Sequence, residues 1–243
     1  MNKLEEIDRL LLRKIFQVAS SCPTEALYLE LGCIPLGIVI KSRRLNYLHH
    51  LVTREETEML WKIFITQWEF PSTRGEWAEQ VRGDLEMFGI CDELNWIKSK
   101  SKLTFKALVK KQARELALVT LMNKKEKHSK MDDLMYVELS MQNYLKDEKI
   151  RVQEARILFK FRTRMAKFWG NFKGGRPPQQ CPVCKEPGSV DTQLHSFQCK
   201  VLAENINMEG NYSEMFTTNI DKNIARKLEN IEKFREESLE NEK

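Results

Sequence analysis

No run of about 18 apolar residues occurs anywhere in the chain, which excludes a membrane-spanning helix. The opening stretch, MNKLEEIDRLLLRK, has acids where a secretory signal needs bases and lacks a small-residue cleavage site, so secretion is not expected. Glycine (10) and proline (7) are too sparse for a collagen-like chain, a turn-rich sandwich or a wholly disordered one. A Gly-rich phosphate loop, a nucleophile elbow and an HExxH helix are all missing. A disulfide framework is not indicated either, because the six cysteines are unevenly placed. Cys22, Cys33 and Cys91 stand alone and read as small buried hydrophobes, whereas Cys181, Cys184 and Cys199 crowd around His195. The expected setting is a reducing one, intracellular and either nuclear or cytoplasmic, with neither a membrane nor a small-molecule substrate as partner.

With 42% apolar and 31% charged residues over 243 positions, the chain can bury a substantial core. Its net charge of +5 is unevenly distributed. Residues 98–130 hold eleven Lys or Arg against two Glu, and residues 151–176 hold eight against one. Residues 200–243 are acidic, with seven bases and ten acids. Positive charge is thus concentrated where a polyanion could be held.

Apolar spacing predicts helices over 4–18, 24–31, 35–52, 54–68 and 74–88, the second capped by Thr24 and closed by Gly32. Thr53 and Glu56 have capping-box spacing and are expected to start the fourth. Residues 1–97 therefore read as a helical array. A long helix over 101–125 is expected to bury Leu103, Ala107, Val109, Leu116, Val119 and Leu121. Helices over 131–146 and 149–168 complete a basic region, 98–176. Residues 177–203 carry the cysteine cluster, and residues 204–243 form a helix (221–238) with an acidic tail. The fold class is all-α: a multi-helix array with a small C-terminal metal-binding segment.

Cys181-Pro-Val-Cys184, ten residues, then His195-Ser-Phe-Gln-Cys199 form a C-x2-C-x10-H-x3-C pattern. A CxxC turn offers two thiolates to one ion, and His-x3-Cys puts two more ligands on one face of a helical turn. Four ligands leave no open position, so the expected ion is a structural Zn2+ held by Cys181, Cys184, His195 and Cys199. The segment has too few apolar residues to fold without metal. The alternatives are reduced thiols beside a surface histidine, or a redox CxxC, which would need to open a helix after a strand.

Phe159-Lys-Phe-Arg-Thr-Arg-Met-Ala-Lys-Phe-Trp169, continuing to Phe172, mixes bases with aromatics as single-strand binders do. Leu158, Phe161, Met165 and Phe168 also suit the buried face of an ordinary helix, and core is the preferred reading of the aromatics. Candidate phosphate contacts are Lys106, Lys110, Lys111, Arg114, Arg162, Arg164, Lys167, Lys173 and Arg176, with plain solvation as the alternative. Met131-Asp132-Asp133 superficially suggests a two-metal carboxylate pair, but it follows Lys-His-Ser-Lys and reads as a helix start. His49 and His50 point about 100° apart on a helix and cannot serve one ion from one face.

Several of these blocks together resemble one family. Pro23-Thr-Glu-Ala-Leu-Tyr-Leu-Glu-Leu-Gly32 and Ser42-Arg-Arg-Leu-Asn-Tyr-Leu-His-His50 are similar to the region after the polymerase core in non-LTR retrotransposon reverse transcriptases. Gly75-Glu-Trp-Ala-Glu-Gln-Val-Arg-Gly-Asp-Leu85 resembles the next block of those proteins. Leu158-Phe-Lys-Phe-Arg-Thr-Arg-Met165, with the cysteine cluster, resembles their closing arginine helix and CCHC zinc knuckle. The resemblance covers about residues 5–235. It implies a thumb-like and linker region that helps hold RNA and DNA, and a polymerase core packed on residues 1–50. The catalytic fingers and palm, with their aromatic-x-Asp-Asp motif, have no counterpart in this sequence, so binding without catalysis is the expectation. The competing expectation is a zinc-stapled helical scaffold whose partner is a protein.

Overall fold

The computed structural model describes residues 3–70, 77–172, 177–206, 212–217 and 222–240. The α-helices among them are α1 (Lys3–Phe16), α2 (Thr24–Leu31), α3 (Leu36–Val52), α4 (Met59–Glu69), α5 (Trp77–Met87), α6 (Leu94–Ser99), α7 (Lys102–Lys125), α8 (Asn143–Lys146), α9 (Val152–Arg162), α10 (Gln193–Gln198), α11 (Lys200–Ile206) and α12 (Lys222–Glu240). No strand occurs among the described residues, only isolated antiparallel bridges at Leu31–Met141 and Gln180–Val190. The fold is all-α, and none of its described helices is long and apolar enough to cross a membrane.

Two compact units divide the chain. The first takes Ile34–Met122 with the start of α1 up to Glu6, and the second takes Ile7–Cys33 with the residues from Asn123 onward. These divisions cut across the segments 1–97, 98–176, 177–203 and 204–243: most of α7 belongs with the earlier helices, and α2 with the end that carries the Cys/His cluster.

In the first unit α3 is central, packing on α4, α5 and α6. Leu45, Leu48, Val81, Leu85, Ile97 and Val109 are completely buried there, each worth roughly 1.5–3 kcal/mol of apolar transfer. Asp84 is buried on α5 and answered from α3 by Arg44 at 2.7 Å and Lys41 at 3.4 Å. His49 is a packing residue: its Nε2 lies 2.9 Å from the Lys100 carbonyl and its ring stacks on Phe105. The buried stripe of α7 is Phe105, Val109, Ala113, Ala117 and Leu121. Val109 and Leu121 are buried as expected, but the rest of the expected face is corrected, since Leu103 is 79% and Val119 57% exposed. Thr53 likewise does not open α4. Its hydroxyl donates to the His49 carbonyl at 2.9 Å, closing α3, and α4 begins at Met59.

In the second unit α2 is buried over five consecutive residues, Ala26–Glu30. Gly32 ends it at φ +62°, where a Cβ would also lie 2.2 Å from the Met141 nitrogen. That close approach comes from residues 132–142, which are irregular instead of helical and cross α2 with the Gln142 amide donating to the Glu30 carbonyl at 3.0 Å. Leu134 and Tyr136 point in while Met135 and Val137 point out, a strand-like alternation. Asp132 and Asp133 therefore follow a short 3-10 turn and do not start a helix. Helix α9 ends at Arg162, six residues before the expected Phe168, and Arg164 takes φ +51°.

Deep in this unit Glu30 and Arg162 pair at 3.1 Å, both fully buried. The hydroxyls of Tyr136 and Tyr144 donate to the Glu30 carboxylate at 2.6 and 2.7 Å. Arg162 also donates to the Met215 and Thr217 carbonyls. Burial, followed by the Glu30 charge, raises both tyrosine pKa values well above the ordinary 10.0.

Candidate metal centre

The ligating loop is built by short-range hydrogen bonds. The Lys185 amide returns to the Cys181 carbonyl at 3.1 Å, and Lys185 at φ +52° and Gly188 at φ +82° turn the chain back. The Cys181 amide then donates to the Ser189 carbonyl at 3.2 Å, beside the Gln180–Val190 bridge. On the other side Thr192 caps α10, its hydroxyl accepting from the His195 amide at 3.0 Å. His195 and Cys199 lie four residues apart across that single turn and share a face.

One donor atom from each of Cys181, Cys184, His195 and Cys199 lies within 4.8 Å of all the others. A tetrahedral site with metal–sulfur bonds of about 2.3 Å has edges of about 3.8 Å, so the four donors are close enough to hold one metal ion. Cys184 Sγ and His195 Nε2 are 3.4 Å apart. Cys181 and Cys199 are buried, while Cys184 and His195 are half-buried. Burial raises the Cys199 thiol to about 11 and raises Cys181 as well. At Cys184 burial works the same way, but hydrogen bonds from the Glu186 amide, Ser189, His195 and Cys181 outweigh it and bring the thiol to about 7. Sequence spacing thus identified four residues that the fold does bring together.

What braces this loop was not visible in the sequence. Asp191 is buried and receives Arg235 of α12, whose Nη2 lies 2.8 Å from both carboxylate oxygens. The Arg235 guanidinium also lies 3.9 Å over the Phe168 ring. Asp191 Oδ2 accepts the Trp169 amide at 3.0 Å, and the Asp191 carbonyl accepts the Gly170 amide at 2.9 Å. The Gln193 carboxamide donates to the Phe161 carbonyl at 2.7 Å and accepts from Asn171 at 3.1 Å. These contacts join residues 21 to 67 positions apart, beyond the reach of local pattern.

The candidate phosphate contacts separate into three groups. Lys106, Lys110, Lys111 and Arg114 are exposed on α7, in the first unit; Lys111 approaches Glu115 at 3.9 Å. In the second unit Arg162 is only 2% exposed and spent on Glu30, so it is a core residue and not a phosphate contact. Arg164 is half-buried against Asp133 and the Ser129 carbonyl, while Lys167 is exposed and reaches Glu236 at 3.9 Å. Lys173 and Arg176 lie outside the described residues. The aromatics Phe159, Phe161 and Phe168 are buried, whereas Trp169 and Phe172 are half-buried. Comparison with protein families, with curated proteins and with solved structures finds no match to this chain in any of the three.

Proposed function

We propose that this chain binds nucleic acid backbone through basic helices, carries a closed structural Zn2+ site, and performs no bond-making step. Three thiols and an imidazole are the donor set that zinc prefers, and four protein ligands leave no place for a reacting water. The reading accords with the resemblance to the C-terminal region of non-LTR reverse transcriptases.

The observation that carries it is the stripe Lys102, Lys106, Lys110 and Arg114, exposed along α7. It runs one residue behind the buried stripe, with about 6 Å between successive cations. No carboxylate among the described residues pairs with Lys102, Lys106 or Lys110. Four phosphate contacts would give a log–log salt slope of roughly −3 to −4, a loss of about 50- to 150-fold between 50 and 200 mM salt. Fluorescence anisotropy with single-stranded RNA and with duplex DNA at those two concentrations tests this. Lys106→Glu with Lys110→Glu should weaken binding and flatten the slope by about 2. Absence of binding to either probe at the lower salt overturns the reading.

A second reading, a helical scaffold for a protein partner, is favoured by α1. Ile7, Leu10, Leu11 and Ile15 are 61, 51, 55 and 46% exposed on one side of it. Such a face suits a packing partner, which the resemblance identifies with a polymerase core against residues 1–50.

A further inference from the structure

A cavity of about 570 Å³ opens beside the ligating loop, between the Trp169–Asn171 turn, residues 179–185 and the end of α12. Its lining combines three chemistries. Trp169 and Phe172 supply half-buried ring surface, Lys167 and Lys185 supply exposed ammonium groups, and Gln179 supplies an exposed carboxamide. The one carboxylate in the wall, Asp191, is already matched by Arg235 at 2.8 Å, and Lys167 reaches Glu236 at 3.9 Å only in a solvent-exposed pair that a phosphate can displace. One face of Phe172 is taken by Lys130, whose Nζ lies 4.1 Å from the ring centre. That leaves Trp169 as the platform and Phe172 as a side wall.

A flat apolar ring next to cations and an amide complements an unpaired base carrying its phosphate. The base stacks on the ring, its edge meets the carboxamide, and the phosphate meets the ammonium groups. Duplex bases are stacked on each other and offer no free face. The volume also falls within the range of small-ligand pockets, about 300–1,000 Å³. We infer that this cavity takes one unpaired nucleotide of a single strand, with Trp169 under the base, Gln179 at its edge and Lys167 with Lys185 on the phosphate. The inference rests on the nucleic-acid reading above and narrows it to single strands at this site.

The ring is held by the same segment that carries His195. The Trp169 and Gly170 amides both donate to Asp191, and a Cβ at Gly170 would come within 2.9 Å of Thr192 Cγ2. The platform is therefore hydrogen-bonded directly to the segment that carries His195.

The test uses the full chain and three labelled probes: a ten-nucleotide oligouridylate, the same backbone without bases, and a duplex. Trp169→Ala should weaken binding of the oligouridylate by roughly 5- to 150-fold, the value of one stacked base, and leave the base-free strand unaffected. Trp169→Phe should recover most of the loss. Lys185→Glu, at an exposed position, should weaken both single strands. Circular dichroism establishes that each variant is folded, and if Trp169→Ala unfolds, Lys185→Glu and Gln179→Ala carry the decision. If the oligouridylate still binds and these variants leave its affinity unchanged, the cavity is not the site, while binding through α7 stands. If no probe binds at 50 mM salt, both readings fall together.

Discussion

Arg162→Met removes the cation from a wholly buried carboxylate, and its cost can be worked from the contacts. The substitution deletes the pair with Glu30 at 3.1 Å and the donors to the Met215 and Thr217 carbonyls. It leaves Glu30, 0% exposed, with only the hydroxyls of Tyr136 and Tyr144. Breaking a buried pair from one side costs about 3–5 kcal/mol, because the surviving charge keeps its desolvation penalty. The two tyrosine hydrogen bonds remain, which places the expectation near the lower end, about 3 kcal/mol. That is a large share of the 5–15 kcal/mol typical of whole domains. Adding Glu30→Gln restores much of the loss, since a carboxamide oxygen still accepts from a tyrosine and no charge stays buried. The coupling energy of the cycle should be about 2 kcal/mol, read from urea unfolding followed by far-UV circular dichroism. Under native conditions Arg162→Met should leave nucleic-acid affinity unchanged. A cost below about 1 kcal/mol, or additivity in the cycle, would refute the assignment of Arg162 to the core and return it to the candidate phosphate contacts.

The purified chain should contain one equivalent of zinc, and Cys181→Ser or a chelator should remove it together with the order of the loop, seen as accelerated hydrogen exchange at residues 181–199. Cys22 is buried and its thiol is raised to about 12 by burial, against smaller opposing effects of Arg13 and Lys130 and a reinforcing one of Glu25, so Cys91, which is exposed, should alkylate first. A raised acid keeps its proton when the unfolded chain has lost it, so the contribution of Cys22 is complete below its ordinary 9.0 and declines as pH rises towards 12. Tyr136 and Tyr144 act in the same direction above 10.0, and urea midpoints should fall through that range, less steeply in Tyr136→Phe. Asp191→Asn strands the cation of Arg235 and should weaken zinc binding by roughly 10- to 100-fold in a chelator competition, as loss of a ligand's supporting contact does. An unchanged affinity would separate the brace from the metal.

Local chemistry made part of this fold legible. Gly32 marks the end of α2 because a left-handed closing residue with no room for a Cβ must be glycine. Thr24, in contrast, does not cap the helix: it is the first helical residue after Pro23, and its hydroxyl accepts from Arg13 at 3.2 Å. The Cys/His cluster was legible because its spacing within a short loop is the spacing that holding one ion would require. Residues 131–142 were not, since apolar residues fall at 131, 134, 135, 136, 137, 139 and 141 and satisfy both helix and strand periods. Only the contact with α2, a hundred residues earlier, selects the extended form. Arg162 was misread for the same reason: an arginine in a basic stretch looks solvated until Glu30, 132 residues away, is seen beside it. Thr53 could cap either neighbouring helix, and its hydroxyl is used by α3.

The ligating loop and the long C-terminal helix depend on each other. Residues 181–199 bury few large side chains of their own; Cys181, Pro182, Asp191, Gln193, Ser196 and Cys199 are buried there, mostly polar groups or ligands. Apolar transfer therefore contributes little, and fixing the loop falls to hydrogen bonds whose partners lie elsewhere and to the proposed coordination. Helix α12 supplies one of these through Arg235. At its other end Arg226 lies 3.5 Å from the buried Glu154 of α9, and Glu229 lies 2.9 Å from Arg151. Ala225, Leu228 and Ile231 fill the space between, all completely buried. The helix thus links α9 to the Asp191 corner. Because Trp169 hangs from Asp191, any displacement of α12 reaches the proposed base platform and the His195 ligand through one carboxylate. Binding at the cavity and occupancy of the metal site should therefore stabilise each other by the same factor, whichever is measured first.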